Sequence, residues 1–193
     1  MNNRRANLAL SLTSLAFLLY PVIVYFGLQQ LELPALAAIL LGMTLLRVCF
    51  NRSSLSWGLL SGALAIFAYT WLFQQPIGLK LYPAFVNAIF LAVFLYSLHF
   101  PPTVVERMAR IAEPDLDAAG VHYTRRVTQI WCVFFAINGL IALATVTMTN
   151  EIWLLYNGFI AYLAMGALFA GEFIVRHLRR KHQHGKQAAI HRQ

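Results

Sequence analysis

Residues 34–50 read PALAAILLGMTLLRVCF and are followed by the polar turn Asn51-Arg-Ser-Ser54. The run is nearly long enough to cross a bilayer core, which takes about 20 apolar residues as a helix. Its charged residue, Arg47, lies in the last turn, close enough to the end for the side chain to extend toward water. The run lacks the alternation of a barrel strand. It therefore predicts a membrane-spanning helix that begins at Pro34, a favoured place for proline.

Similar apolar runs recur along the chain, and together they predict an all-α membrane protein. Hydrophobic residues make up 60% of the sequence and charged residues 11%, whereas a soluble domain is about half apolar and a quarter charged. We predict a six-transmembrane-helix bundle within one membrane domain, residues 1–176, and a basic, disordered cytoplasmic tail, residues 177–193. The predicted helices cover about 6–27, 34–50, 55–73, 80–99, 127–147 and 152–175.

The basic residues predict how this bundle is oriented. Six spans place both termini and the loops after the second and fourth helices on one side. That side holds every Lys and Arg of the 15 except Lys80. Because loops rich in Lys and Arg stay in the cytoplasm, we predict a bacterial inner membrane protein with cytoplasmic N- and C-termini. The net charge of +8 is then explained by orientation and by anionic membrane lipids, and no nucleic acid partner is expected.

The loop between the fourth and fifth helices carries its own signal. Thr103 and Glu106 fit a capping box, and apolar residues follow at helical spacing. We predict a short cytoplasmic amphipathic helix over about 103–113. It is interpreted as a connector in the lipid headgroups, a docking surface for a cytoplasmic partner, or, least favoured, a catalytic segment carrying Glu106, Glu113 or Asp115. The candidate docking residues are Glu106, Arg107, Arg110, Arg125 and Arg126.

Polar residues inside the predicted spans form the second group of candidates. Asn87, Asn138 and Asn157 need hydrogen-bond partners in hydrocarbon, so they are expected to face the bundle interior or to line a polar path for a ligand. Glu172 shares a helix face with Arg176 four residues later, which favours a structural ion pair near the cytoplasmic end. The alternative is a functional intramembrane carboxylate. These five residues are the candidate intramembrane polar cluster.

Three further patterns bear on helix packing. Gly58 and Gly62 form a GxxxG pair, which allows two helix backbones to approach closely. Trp153 and Tyr156 at the start of the last helix fit an aromatic belt at the membrane surface. Tyr20-Pro21 and Tyr82-Pro83 recur in two oppositely directed helices, as an inverted repeat of transporter type would have them.

The second half of the chain resembles a family of uncharacterised bacterial inner-membrane proteins. The resemblance covers about residues 80–176. It is carried by LYPAFVN (81–87), SLHFPPTVVERMAR (97–110), EPDL (113–116), YTRRVT (123–128), WCVFF (131–135), Asn138-Gly139, WLLYNG (153–158) and Gly171-Glu-Phe173. Genes of that family tend to accompany acyl carrier proteins, ketosynthases and dehydratases of aryl-polyene or fatty-acid-like pathways.

A more distant similarity is to the septation protein A family, which also combines a Trp-x-x-Phe-Phe helix with a short turn before a tryptophan. Tyr156-Asn157-Gly158 stands where that family has a Phe-Lys pair.

The leading functional prediction is a non-enzymatic inner-membrane accessory protein. The resemblance implies that it anchors acyl-carrier-dependent lipid or polyene biosynthesis enzymes, or handles their product. The implied partners are membrane lipids and an acyl carrier protein or ketosynthase-type enzyme. The alternatives are a small transporter or flippase of a lipid-like molecule and a septation or cell-envelope protein. No pattern indicates a catalytic or cofactor site. His182 and His184 of the tail have no third ordered ligand nearby, so no metal site is expected either.

Overall fold

A computed structural model describes the backbone of residues 19–190 and the side chains of residues 19–176. The described residues form helices and connecting turns, with no β-strand among them. The predicted first span, 6–27, lies mostly outside the described residues, and its described part belongs to helix α1, Tyr20–Gln30. Residues 191–193 also lie outside the described range.

The other helices follow one another along the chain with short turns between them. They are α2 Leu33–Phe50, α3 Ser54–Phe73, α4 Ile77–His99, α5 Val104–Ala112, α6 Ala118–Thr145, α7 Asn150–Leu155 and α8 Ala161–Ile190, with a π-helical turn, Tyr156–Ile160, between α7 and α8. Five segments of the described chain are long and apolar enough to cross a membrane: Leu33–Phe50, Ser54–Phe73, Ile77–His99, Ala118–Thr145 and Asn150–Arg176. The fold class is thus all-α with five candidate membrane spans, and the second to sixth predicted spans each overlap one of them.

Two helices begin earlier in the structure than the sequence predicted. Helix α6 begins at Ala118 rather than near residue 127, because the carboxylate of Asp117 accepts a hydrogen bond from the Gly120 backbone N–H at 2.7 Å. An aspartate in this position satisfies a backbone donor that the first helical turn leaves free. Helix α4 begins at Ile77, directly after Pro76, because proline readily precedes or opens a first turn.

The C-terminal segment also differs from its prediction. We predicted a disordered tail over 177–193, whereas the backbone of α8 remains helical to Ile190. The segment contains no proline and is rich in Arg, Lys, Gln and Ala, which all have high helix propensity. The basic charge of the tail led to the prediction of disorder, but charged side chains do not by themselves end a helix.

Large apolar side chains cover the outside of the bundle. Leu72, Phe173 and Leu140 are 73%, 70% and 68% exposed, and many others are more than half exposed. A soluble monomer rarely presents such continuous apolar surface. Lipid tails would solvate this surface, as expected for a multi-pass membrane protein.

Close packing between α3 and α4 depends on one glycine of the GxxxG pair. A Cβ atom added to Gly62 would overlap the ring of Phe85 on α4, whereas one added to Gly58 would lie 3.4 Å from the Ile89 side chain, an ordinary contact. The predicted close approach is therefore present at Gly62, where a side chain rather than a backbone fills the groove.

Candidate intramembrane binding site

A partly open cavity of about 290 Å³ is lined by residues of α1, α2, α3, α4, α6 and the last span. We call it the central cavity. Its apolar wall includes Leu59, Val86, Phe90, Phe135 and Met165. Its polar wall is formed by Tyr20, Arg47, Tyr82, Asn87, Asn138, Asn157 and Tyr162. Three of the five residues of the candidate polar cluster therefore share one cavity.

The α4 part of the wall is shaped by Pro83. Proline has no backbone N–H, so the carbonyl of Leu79, four residues earlier, loses its usual helical donor. The Tyr20 hydroxyl of α1 donates to that oxygen at 2.8 Å. The neighbouring carbonyl of Lys80 accepts from the indole Nε1–H of Trp153 at 3.1 Å. Side chains from two other helices thus satisfy carbonyl groups around the proline, as membrane helices require.

These contacts correct the expectation for the aromatic belt. Trp153 is fully buried, with no exposed surface, and it bonds to α4 instead of facing the membrane surface. The hydroxyl of Tyr156 donates to the side-chain oxygen of Asn138 at 2.8 Å. Sequence position near a helix end suggested the belt, but a tryptophan N–H can also donate to a backbone carbonyl of a neighbouring helix.

Asn87 and Asn138 connect α4 to α6 across the cavity wall. The Nδ2 amide of Asn138 donates to Oδ1 of Asn87 at 3.0 Å, and the Nδ2 amide of Asn87 donates to the Pro83 carbonyl at 2.8 Å. Gly139 makes this possible, because a Cβ atom there would lie only 3.1 Å from the Cβ of Asn87. The predicted cross-bundle hydrogen bond is present, and each amide group keeps a second N–H.

Asn157 lines the same cavity but belongs to a separate set of hydrogen bonds. Its Nδ2 amide donates to Oγ1 of Thr145 at 3.0 Å and to the carbonyl of Trp153 at 2.9 Å. Asn157 lies in the π-helical turn, where the backbone hydrogen-bond register changes. Such turns are common at functional sites.

Arg47 is the charged member of the site, and the sequence did not predict it there. We expected its side chain to extend outward from the end of its helix, but it lines the central cavity together with Tyr82. The available signal was its charge within an apolar run, since an intramembrane ionisable residue is by default a candidate functional residue. Its place near the helix end led to the other interpretation.

Glu172 and Arg176 lie elsewhere. They line a second cavity of about 90 Å³ beside α5, together with Glu113, Asp117 and Tyr123. Among the described side chains, one ion pair is present, between Arg110 and Glu106 at 2.9 Å. No ion pair joins Glu172 to Arg176. The predicted ion pair was wrong: spacing of four residues puts two side chains on one face, but such a pair stabilises a helix by only about 0.2–0.5 kcal/mol.

The candidate docking residues divide into two groups. Glu106 is buried and bonded to Arg110, whose guanidinium also donates to the Pro114 carbonyl at 3.2 Å. These two residues hold α5 and the turn after it. Arg107, Arg125 and Arg126 are exposed. The threonine half of the predicted capping box is present, since Oγ1 of Thr103 accepts from the Glu106 N–H at 3.2 Å.

Neither metal-binding groups in the described part of the chain nor comparisons with known proteins identify a further site or a family. Among the described residues, no group of three or more His, Cys, Asp or Glu side chains is placed to hold a metal ion. In comparisons with known proteins, no family model matches the chain, and no curated protein or solved structure is significantly similar to it. The resemblance of residues 80–176 described above therefore stays an expectation.

Proposed function

We propose that this chain is a small membrane transporter that carries a lipid-like molecule by way of the central cavity. The observation that carries the proposal is the cavity itself. It contains three asparagines and Arg47 within a bundle of apolar helices. Polar side chains are unfavourable in a membrane interior unless they are paired or serve a function.

The size and lining of the cavity support an amphipathic cargo. A volume of about 290 Å³ is at the lower end of ligand pockets, which range from about 300 to 1,000 Å³. It suits a headgroup and the first part of a chain better than a whole lipid. The apolar side chains of Phe90, Phe135 and Met165 would contact the chain, and the amides of Asn87 and Asn138 would contact the headgroup.

The backbone around the cavity also supports transport. Substrate sites of many transporters lie near the middle of the bilayer, where interrupted helices meet. Here Pro83 removes one backbone hydrogen bond within α4, and a π-helical turn lies within the last span; both border the cavity. Asn87 is one residue from the midpoint of α4, Ile77–His99. The two Tyr-Pro pairs meet at this point, with the rings of Tyr20 and Tyr82 centred 4.8 Å apart.

The proposal includes the membrane topology. We propose six spans in a bacterial inner membrane, with the first span formed by about residues 6–27 and both termini in the cytoplasm. The placement of 14 of the 15 basic residues on one side supports this orientation. We also propose that α5 lies on the cytoplasmic interface, because Met108 and Ile111 are 61% and 85% exposed and would enter the headgroup region.

A transport assay with a cavity-filling variant tests the proposal. The protein is reconstituted into vesicles that contain a fluorescent phosphatidylglycerol, and a membrane-impermeant quencher reports how fast the lipid reaches the outer leaflet. Wild type is expected to accelerate this movement. Ala161→Phe, which places a ring at the cavity wall, should abolish the acceleration. Ala164→Phe on the same helix is the matched control, because Ala164 is exposed on the outside.

The outcomes separate clearly. Transport that survives Ala161→Phe at the wild-type rate would show that the lipid does not pass through the central cavity. If neither a fluorescent phospholipid nor a single-chain analogue moves faster with wild type than in protein-free vesicles, the transporter proposal fails.

A second candidate function is the anchoring of acyl-carrier-dependent enzymes, supported by the exposed arginines. Arg107, Arg125 and Arg126 all lie exposed on α5 and the start of α6. Acidic carrier proteins would be attracted to such a surface electrostatically. An acyl carrier protein should be retained by the solubilised protein in a salt-sensitive manner, and charge reversal at these three arginines should remove that retention. Unchanged retention would refute anchoring by this surface.

A further inference from the structure

We propose that the central cavity binds a lipid-like molecule through an anionic headgroup, a carboxylate or a phosphate, and that Arg47 provides the selectivity. The inference rests on the proposed function, and it adds the chemical class of the cargo. It starts from the charges that line the cavity. Among the lining residues that the structure describes, Arg47 is the charged one.

The positions of the acidic residues strengthen this assignment. The chain contains seven Asp and Glu residues, and all seven lie in the described part of the chain. None of them lines the central cavity, because they occupy the turn before α2, the region from α5 to the start of α6, the start of α7 and the second cavity near α8. The wall of the central cavity therefore has a net positive charge.

A guanidinium within the bundle favours an anion for electrostatic reasons. Arginine stays protonated in proteins, and its planar fork matches the oxygens of a carboxylate or a phosphate. Charge–charge attraction is stronger in a low-dielectric interior than in water. A cationic headgroup would be repelled, and a neutral one would gain only hydrogen bonds.

The asparagines extend the headgroup site. Asn87 and Asn138 each use one amide N–H in the hydrogen bonds described above and keep a second N–H for a ligand oxygen. Apolar residues such as Phe90 and Met165 line the same cavity, so a chain attached to the headgroup finds an apolar wall. An anionic amphiphile would pair with the guanidinium, accept hydrogen bonds from the amide N–H groups and place its chain against the apolar wall.

Binding to three fluorescent dodecyl chains tests the inference. They carry a carboxylate, a phosphate or a hydroxyl group, and inorganic phosphate serves as a competitor that distinguishes a headgroup from a free anion. Wild type in lipid nanodiscs is expected to bind the two anionic chains roughly tenfold more tightly than the alcohol, the size of one charge-assisted hydrogen bond. Inorganic phosphate should compete weakly, because it lacks the chain.

Variants of Arg47 decide the assignment. Arg47→Gln should bind the alcohol as wild type does but lose the preference for anionic chains, whereas Arg47→Lys should keep part of it. Arg52→Gln, an exposed arginine just beyond the same helix, should keep all of it. Equal binding of anionic and neutral chains by wild type, or an unchanged preference in Arg47→Gln, would overturn the headgroup assignment while leaving the transporter proposal standing. Loss of the alcohol probe together with the anionic ones in Arg47→Gln would also count against a selective role.

Discussion

The Tyr20 hydroxyl donates a hydrogen bond of 2.8 Å to the main-chain carbonyl of Leu79. That carbonyl lies four residues before Pro83, so the helix itself supplies no donor for it. A side chain of α1 thereby completes the backbone of α4, and both residues are fully buried or nearly so. The proline interruption and the tyrosine that satisfies it form one structural unit at the edge of the central cavity.

Tyr20→Phe is expected to destabilise the bundle by about 1 kcal/mol, because it leaves the buried Leu79 carbonyl without a donor. The loss should be smaller in a Pro83→Ala background, where the substituted residue restores the helical N–H. Unfolding of the two single variants and the double variant in mixed micelles measures the difference. Tyr96→Phe on α4 is the control, since Tyr96 is 63% exposed. An equal loss from Tyr20→Phe in both backgrounds would contradict the coupling.

Gly139→Leu is expected to separate α4 from α6. The new side chain would begin 3.1 Å from the Cβ of Asn87, and overpacking of this kind costs about 1–3 kcal/mol. The Asn138–Asn87 hydrogen bond would be lost with it. Gly166→Leu is the matched control, since nothing lies within 4 Å of its added Cβ. If thermal unfolding shows the two variants to be equally stable, the close approach at Gly139 does not matter for the fold.

The GxxxG pair offers a test within a single motif. Gly62→Ala should lower stability, because its methyl group would overlap the ring of Phe85 and force the ring to move. Gly58→Ala should be neutral or slightly stabilising, since alanine has the higher helix propensity, by about 1 kcal/mol. Chemical denaturation of the two variants measures the contrast. Similar losses at both positions would mean that the motif acts through backbone contact at each glycine.

The sequence predicted the helices well because hydropathy along the chain reports the helix length that a membrane requires. The second and third predicted spans agree with Leu33–Phe50 and Ser54–Phe73 to within one residue. The sequence-based prediction missed the beginning of α6, residues 118–126, because the polar residues there resemble a loop. The N-cap aspartate, Asp117, was the signal that could have extended the helix.

The site was harder to predict than the helices, since it depends on how the helices rotate against one another. Asn87 and Asn138 could be assigned to the interior from the free energy of an unpaired amide in hydrocarbon. Arg47 could not, because the same side chain can extend to water or point into the bundle. Glu172 and Arg176 share a helix face, but neighbouring helices place them at a different cavity.

Membrane orientation determines whether α5 and the exposed arginines Arg107, Arg125 and Arg126 face the cytoplasm. A reporter domain inserted after Asp115 should lie in the cytoplasm, and one inserted after Gln75 should lie on the opposite side. Both insertion points are exposed turns between membrane spans, so a tolerated domain should not disturb the bundle. Alkaline phosphatase, active only outside the cytoplasm, and a cytoplasmic fluorescent protein report the two sides independently. Residues 77–99 form one candidate span between the two points, so the two reporters are expected to give opposite results. Phosphatase activity after Asp115 would reverse the topology, and the exposed arginines would then face away from any cytoplasmic carrier protein.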